Sequence, residues 1–194
     1  NLSKAMSYKS ALAGLPYGGA KGVIMMQEGT DRSATLKAYA EKIEALNGLF
    51  RTGTDVGLTD ADIKFMSKFC HYMLGTNSKN THGFSTSTAA ARGVYLGIKS
   101  AVLHKYGTDL QGVSIGIKGL GKLGGELAHL LARDGAQLLI ADVDSDLLRK
   151  MSHELHGRAT VIEANKIQEQ LMHVYAPCAL GNEFTMDNVD RLNC

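Results

Sequence analysis

The sequence has 194 residues, of which 44% are hydrophobic and 21% are charged, a composition typical of a folded globular chain. Its 21 basic residues nearly balance its 19 acidic residues, and no run of five or six basic residues occurs, so nucleic-acid binding is not expected. Apolar stretches are too short for a membrane span, no signal-like segment opens the chain, and the three cysteines form no CxxC pair, so we expect a soluble cytoplasmic protein without membrane contacts.

The first half of the chain predicts helices joined by glycine-containing loops. Apolar side chains recur at helical spacing in its longer segments, and Gly, Pro, Thr and Asp mark the breaks between them. The predicted elements, in chain order, are a helix over 1–9, a tight loop over 14–21, a buried strand over 23–26, a helix over 35–49, a loop over 52–57 and a helix from Thr59 through Met73.

The second half changes to an alternation of strands and helices. A polar segment over 76–87 suits a loop at a domain boundary. The elements predicted after it are a helix over 88–106, a strand over 113–117, a helix over 123–134, a strand over 136–143, a helix over 146–155, a strand over 159–162 and a strand end over 174–176. Strand, helix and strand within some thirty residues form a βαβ unit, which predicts an α/β fold with a parallel sheet.

A glycine-rich turn directly follows the first strand of that sheet and opens a helix. The pattern G-x-G-x-x-G is carried by Gly119, Leu120, Gly121, Lys122, Leu123 and Gly124. Gly119 allows the tight turn, Gly121 lets a pyrophosphate approach the backbone, and Gly124 lets helix and strand pack closely. The position of the motif at a helix N-terminus favours a dinucleotide site of the doubly wound Rossmann type.

An acidic residue at the end of the second strand indicates which dinucleotide binds. Asp142 would bond both ribose hydroxyls and would repel a 2′-phosphate, so NAD is favoured over NADP. Val143 is assigned to the same site, and Asp144 is a competing candidate for the ribose contact. The alternative is a purely structural glycine turn next to an ordinary surface Asp.

Four further segments resemble the active-site motifs of a known enzyme family. Their positions are 6–9 (MSYK), 14–22 (GLPYGGAKG), 52–57 (TGTDVG) and 175–181 (YAPCALG). Their order and content, together with the glycine turn, resemble the glutamate, leucine, phenylalanine and valine dehydrogenases over nearly the whole chain. The resemblance implies an NAD-dependent oxidative deamination of an apolar L-amino acid to the 2-oxo acid and ammonia, with leucine as the first expected substrate.

The resemblance also implies a role for each residue of these motifs. Lys9 would pair with the substrate carboxylate, Lys21 would be the general base that activates water, and Asp55 would carry the proton of the amino group. Met6, one helical turn before Lys9, would line the substrate pocket together with Gly53. The loop beside the nicotinamide would contain Cys178, Ala179 and Leu180.

Structural alternatives exist for several of these residues. A single lysine such as Lys9 is usually a solvated surface residue, and Asp55 could merely cap the following structure. Cys178 has no His or Asn arrangement that would make it a nucleophile, so packing beside the cofactor is the better interpretation. The seven His show no ligand spacing with acidic partners, so no metal site is expected.

The family also implies a two-domain organisation and assembly into a homo-oligomer. The expected parts are an α/β substrate-domain segment over 1–84, an interdomain helix over 85–107 and an NAD-binding Rossmann domain over 108–194. The chain begins with Asn and stops within a strand and helix repeat, so we expect a fragment that lacks both termini.

One residue departs from the family pattern. Ala90 occupies the position of a family Thr near the nicotinamide, where Thr86 or Thr88 could substitute. The alternatives that stay open are therefore a truncated, inactive NAD-binding relative and a glutamate dehydrogenase.

Overall fold

The computed structural model describes residues 1–75 and 86–194, and the chain forms two compact units, Asn1–Gly83 and Phe84–Cys194. Most of the polar segment predicted over 76–87 lies outside the described residues. Among the described helices, none combines the length and the apolar character that crossing a membrane requires.

The first unit is helical over its described residues. It contains α1 (Leu2–Leu12), α2 (Arg32–Ala45) and α3 (Asp60–Met66). Among its described residues, the only β-type pairing is an isolated bridge between Thr52 and Met73. Helices α2 and α3 share a core with the segment after α3. The buried members of this core are Leu36, Ala40, Ile43, Ile63, Met66, Cys70 and Met73.

Side-chain caps define where α2 and α3 begin. Asp31 accepts a hydrogen bond from the amide of Ala34, so α2 starts three residues before the predicted position. Thr59 and Asp62 form a capping box at the start of α3, where the sequence predicts that a helix begins.

Two predictions for the first unit are wrong. The segment 23–26 is not a buried strand, because no described segment pairs with it and the side chains of Val23 and Met25 are 72% and 90% exposed. Helix α3 stops at Met66 rather than at Met73, since the chain tightens into turns and then bridges to Thr52. Cys70 and Met73, which follow the end of the helix, are nevertheless both buried.

The second unit contains the predicted parallel sheet. Helix α4 (Thr86–Tyr106) precedes the alternating strands and helices. These are β1 (Ser114–Lys118), α5 (Lys122–Arg133), β2 (Gln137–Ala141), α6 (Ser145–Glu154), β3 (Ala159–Val161) and β4 (Val174–Pro177), with short 3₁₀ turns at Ile167–Glu169 and Val189–Arg191. Each predicted strand and helix of this half is present, with ends that differ by one or two residues.

The strand order fixes where a ligand would bind. The sheet runs β3-β2-β1-β4 with all neighbours parallel, which is the order of a Rossmann half and confirms the predicted α/β class. The order reverses between β1 and β4, so their carboxyl ends form the crevice that such sheets use for ligands. Lys118 ends β1 opposite Pro177 of β4, at the mouth of this crevice.

A buried aliphatic core and a polar cluster hold α4 and α5 to the sheet. Ile115, Ile117 and Leu131 belong to the core and are fully buried. At the end of α5, one oxygen of Asp134 accepts hydrogen bonds from Tyr95 at 2.5 Å and from Lys99 at 3.1 Å. Both donors lie on α4, so this Tyr–Lys–carboxylate cluster fastens the two helices together.

We expect the stability of the first unit to depend on pH through Asp62. Arg32 bonds both oxygens of Asp62, at 3.1 and 2.7 Å, and this contact holds the pKa of that carboxyl far below its ordinary value. A carboxyl whose pKa is lowered by folding adds stability above the unfolded pKa of about 4, and this stability is lost as pH falls toward the folded pKa. Arg32→Ala should therefore lower the melting temperature at neutral pH and progressively less below about pH 4.

The measurement is thermal unfolding across this pH range, with Arg51→Ala as the control because Arg51 is an exposed arginine of the same unit. If the melting temperatures of Arg32→Ala and the parent differed by the same amount down to the lowest pH, Arg32 would not be the cause of the lowered pKa of Asp62.

Candidate functional site

An ion pair joins Lys21 and Asp55, the two residues that the family resemblance implies as acid–base groups. The ammonium of Lys21 meets Oδ2 of Asp55, and their side chains are 30% and 45% exposed. The other carboxylate oxygen, Oδ1, accepts a hydrogen bond from the amide of Val56 at 2.8 Å. The two oxygens of Asp55 are thus differentiated, one anchored to the backbone and one facing the lysine.

The loop that carries Lys21 is held against two helices. The amide of Gly19 donates to Oγ of Ser7 on α1 at 2.9 Å, and a Cβ at Gly19 would lie 2.0 Å from the carbonyl oxygen of Ser3. A Cβ at Gly22 would lie 1.9 Å from the hydroxyl of Tyr39 on α2. Glycine is required on both sides of Lys21 because the backbone passes so close to both helices.

The loop that carries Asp55 is fixed at both of its ends. Two backbone hydrogen bonds pair Thr52 with the segment 72–74, and a Cβ at Gly53 would lie 2.9 Å from the carbonyl oxygen of Leu74. At the other end the guanidinium of Arg32, already paired with Asp62, donates to the carbonyl of Gly57 at 2.7 Å. The Asp55 carboxylate is therefore presented by a braced loop rather than by a free one.

Lys9 and Met6 lie on α1 one helical turn apart, as predicted. Lys9 is exposed, and within residues 1–75 and 86–194 its ammonium forms no ion pair or hydrogen bond. Met6 is half-buried. The structure thus brings Lys21 and Asp55 together and leaves the Lys9 ammonium as a separate, unpaired cation on the helix that Gly19 contacts.

A touching ammonium and carboxylate, both reachable from solvent, can pass a proton between them and on to a third group. This is the minimum requirement for acid–base catalysis, which needs the two groups within hydrogen-bonding reach. An exposed ammonium such as that of Lys9 can bind a carboxylate ligand. The first unit therefore has the side chains needed to bind an anionic molecule and to move protons.

The glycine turn of the second unit has the geometry of a dinucleotide site. Gly119 adopts φ +92°, and a Cβ there would lie 2.6 Å from the amide of Ala179, while a Cβ at Gly124 would lie 1.9 Å from the carbonyl oxygen of Gly119. A Cβ at Gly121 would meet nothing within 4 Å, and among the described residues no side chain caps the first turn of α5 there. Open space at the positive end of a helix suits a pyrophosphate, so the residues present fit the cofactor.

The other residues of the motif have distinct surroundings. Leu120 is buried beneath the turn, whereas Lys122 is exposed and Leu123 is half-buried at the start of α5.

The acidic residue at the end of β2 is joined to this turn. Oδ2 of Asp142 accepts a hydrogen bond from the amide of Leu120 at 2.6 Å, and Oδ1 accepts one from the amide of Asp144 at 3.0 Å. The side chain of Asp144 caps α6 by accepting hydrogen bonds from the amides of Asp146 and Leu147, so it has a structural role. Val143, between the two acids, is 94% exposed.

The loop after β4 passes directly over the glycine turn. The amide of Cys178 donates to the carbonyl of Lys118 at 2.7 Å, and the Cβ of Cys178 lies close to Gly124. Burial raises the pKa of the Cys178 thiol to about 11, so the thiol is protonated at neutral pH, in keeping with a packing role. Ala179 and Leu180 are exposed beyond it.

Several residues of these sites were missed by sequence reasoning. Ser7 lies inside a predicted motif, yet nothing in the sequence marks it as the partner of Gly19. Tyr39, whose hydroxyl lies against Gly22, was not assigned to the site from the sequence. Glu183, which binds Lys118 across 65 positions, has no sequence signal, because such a pairing depends on how the sheet brings the two segments together. No cluster of three or more His, Cys, Asp or Glu capable of holding a metal occurs among the described residues.

Comparisons with known proteins match almost the entire chain. A profile of the family described as Glu/Leu/Phe/Val dehydrogenase, dimerisation domain, matches residues 1–79. Phenylalanine dehydrogenase of Bacillus thermotolerans is 35% identical over 98% of this chain and 51% of its own length. Leucine dehydrogenase of Bacillus cereus is 34% identical over 98% of this chain and 52% of its own length. The crystal structure of L-tryptophan dehydrogenase from Nostoc punctiforme aligns with a TM-score of 0.72 at 32% identity, covering 99% of this chain and 53% of that one.

Two facts follow from these matches. The chain spans about half the length of the relatives it matches. Relatives named for phenylalanine, leucine and tryptophan match at 32–35% identity, so the degree of similarity does not single out leucine.

Proposed function

This chain belongs to the Glu/Leu/Phe/Val dehydrogenase family, and we propose that it takes part in the NAD-dependent oxidative deamination of an apolar L-amino acid. The observation that carries this proposal is the ion pair between Lys21 and Asp55, two residues brought together from separate loops. The products of the reaction are the 2-oxo acid and ammonia.

The acid–base part of the reaction is assigned to the first unit. Oxidative deamination must take a proton from the substrate ammonium, pass a hydride from the substrate Cα to the cofactor, and add water to the imine that this oxidation forms. We assign Asp55 to the first proton, because its Oδ2 faces away from its backbone anchor, and we assign Lys21 to the water. Their contact allows a proton to pass between them, and both groups return to their starting states once one proton leaves with the ammonia as ammonium and the other is released to solvent.

Substrate binding is assigned to α1 and to the Asp55 loop. The exposed ammonium of Lys9, which has no ion-pair partner among the described residues, suits the substrate carboxylate because opposite charges attract. Met6 lies one turn away and would contact the substrate side chain, and the backbone at Gly53 would contact the substrate near Asp55.

The cofactor is assigned to the second unit. When bound, NAD supplies the acceptor for the hydrogen that leaves the substrate Cα. The amides around Gly121 would hold the pyrophosphate, and Asp142 would bond the ribose while disfavouring a 2′-phosphate. Val143 and the loop of Cys178, Ala179 and Leu180 would border the same cofactor.

The organisation of the whole protein is part of the same proposal. We assign residues 1–84 to the substrate domain, 85–107 to an interdomain helix and 108–194 to the NAD-binding domain. A homo-oligomer in the cytoplasm is proposed, and the dimerisation role in the description of the matching family supports the oligomer.

A substrate panel tests the proposed function. With NAD present, we expect NADH to form with leucine, and with valine, phenylalanine or tryptophan at lower rates, because apolar substrates are common to the named relatives. The measurement is NADH absorbance for each amino acid, with D-leucine as the control. A glutamate rate above all apolar rates would instead favour a glutamate dehydrogenase. Binding of NAD in calorimetry without any turnover would favour the inactive relative to which Ala90 points.

A further inference from the structure

A partly buried cluster of Lys118, Tyr175 and Glu183 lies next to the glycine turn and is not used by the proposed chemistry. Oε1 of Glu183 accepts hydrogen bonds from the ammonium of Lys118 at 2.8 Å and from the hydroxyl of Tyr175 at 2.7 Å. The side chains of Lys118 and Glu183 are only 21% and 12% exposed. Burial and the neighbouring Glu183 raise the pKa of Tyr175, so its hydroxyl remains a donor.

The register between β1 and β4 brings Tyr175 and Lys118 close to each other. Tyr175 of β4 pairs with Gly116 of β1, and Lys118 lies two residues further along the same face of β1. A Cβ at Gly116 would lie 2.5 Å from Sδ of Met172 and 3.2 Å from the Tyr175 ring, so the glycine leaves room for both side chains. Phe184 packs edge-on against the same ring, with centroids 5.9 Å apart, and Asn188 donates to the carbonyl of Glu183 at 2.8 Å.

Glu183 therefore fixes the C-terminal end of the loop 178–183, which covers the glycine turn, and we call this contact the far anchor. The near anchor is the hydrogen bond from the Cys178 amide to the Lys118 carbonyl at 2.7 Å. Lys118 holds both anchors, one through its backbone and one through its ammonium. The exposed residues between them, from Ala179 to Asn182, are thus tied at both ends to the last residue of β1.

We propose that Lys118, Tyr175 and Glu183 are positioning residues that hold the loop 178–183 in the conformation needed to bind the cofactor. The inference rests on the proposed function, since it assumes that NAD occupies the glycine turn. A loop fixed before binding loses less conformational freedom when the ligand arrives, so loss of the anchor weakens binding.

The same unit provides a matched control. Tyr95, Lys99 and Asp134 form a cluster of the same chemistry, with one carboxylate oxygen accepting from a tyrosine and a lysine. That cluster joins α4 to α5, and Lys99 also pairs with Asp109 at 3.1 Å. Among the described residues, none of the hydrogen bonds and ion pairs of this cluster reaches the loop 178–183. Asp134→Asn should therefore show how much stability the unit loses when such a cluster is broken away from the loop 178–183.

The experiment compares Glu183→Gln, Tyr175→Phe and Asp134→Asn with the parent protein. We expect the Kd for NAD to rise about fivefold in Glu183→Gln and less in Tyr175→Phe, which keeps the ion pair. Hydrogen exchange, measured without cofactor, should become faster across 178–183 in Glu183→Gln. Asp134→Asn should leave both quantities unchanged even where it lowers the melting temperature.

A double variant tests whether the cluster acts as one unit. Lys118→Met combined with Glu183→Gln should weaken NAD binding little more than Glu183→Gln alone, because the pair is already broken. An NAD Kd within about twofold of the parent value in Glu183→Gln, or an equal weakening in Asp134→Asn, would overturn the inference. A parent protein that binds no NAD would refute the proposed function instead, and the exchange measurement would still decide whether Glu183 anchors the loop.

Discussion

Lys21→Ala is expected to lower the rate of amino-acid oxidation by about 10²–10⁴-fold, the range that general base catalysis contributes. The variant removes the ammonium that faces Oδ2 of Asp55 and leaves that carboxylate without its partner. Binding of NAD should stay within about twofold of the parent value, because the loss falls on the chemical step. The measurements are kcat with a saturating apolar amino acid and the Kd for NAD.

Lys42→Ala is the control for this prediction. Lys42 is an exposed lysine in the last turn of α2, so its loss removes a positive charge from the same unit without touching the pair. The control should keep the parent rate. Near-normal turnover of Lys21→Ala would show that Lys21 is not the base.

Gly121→Ala is expected to weaken NAD binding by about tenfold or more, which corresponds to about 1.4 kcal/mol or more. A Cβ at this position meets nothing within 4 Å, and the residue has φ −60°, so the folded protein accepts alanine without strain. The methyl group would instead occupy the space through which a pyrophosphate approaches the helix end. Calorimetric titration should therefore show weaker NAD binding, whereas the melting temperature should stay at the parent value.

Gly124→Ala is the comparison that separates binding from folding. Its Cβ would lie 1.9 Å from the carbonyl oxygen of Gly119, a backbone atom that cannot move without opening the turn. This substitution should destabilise the protein by about 1–3 kcal/mol, the cost of overpacking a well-packed site. If Gly121→Ala bound NAD as tightly as the parent, the pyrophosphate could not lie against Gly121.

The second unit was predictable because its signals are local. Strand and helix periods alternate, and the glycine motif lies between β1 and α5, so spacing alone places each element. Asp142 was found in the same way, since the end of β2 is fixed by that alternation. Its bond to the amide of Leu120 was not predictable, because it depends on the turn geometry.

The first unit was less predictable because its signals depend on partners distant in sequence. The apolar run at 23–26 suggested a buried strand, but a strand needs a hydrogen-bonding partner, and no described segment supplies one. The roles of Lys21 and Asp55 were implied by the family resemblance and by no spacing rule, and their ion pair became visible only in the structure. The supports of that pair, Ser7, Tyr39 and Arg32, became visible only in the folded unit.

The most direct test of the account is the fate of the α-hydrogen of the substrate. L-Leucine carrying deuterium at Cα is incubated with NAD and the protein, and the NADH formed is examined by mass spectrometry. We expect deuterium in the nicotinamide ring with the parent protein and far less product with Lys21→Ala. If neither leucine nor any other apolar amino acid transferred deuterium to NAD, the proposed dehydrogenase function would be wrong.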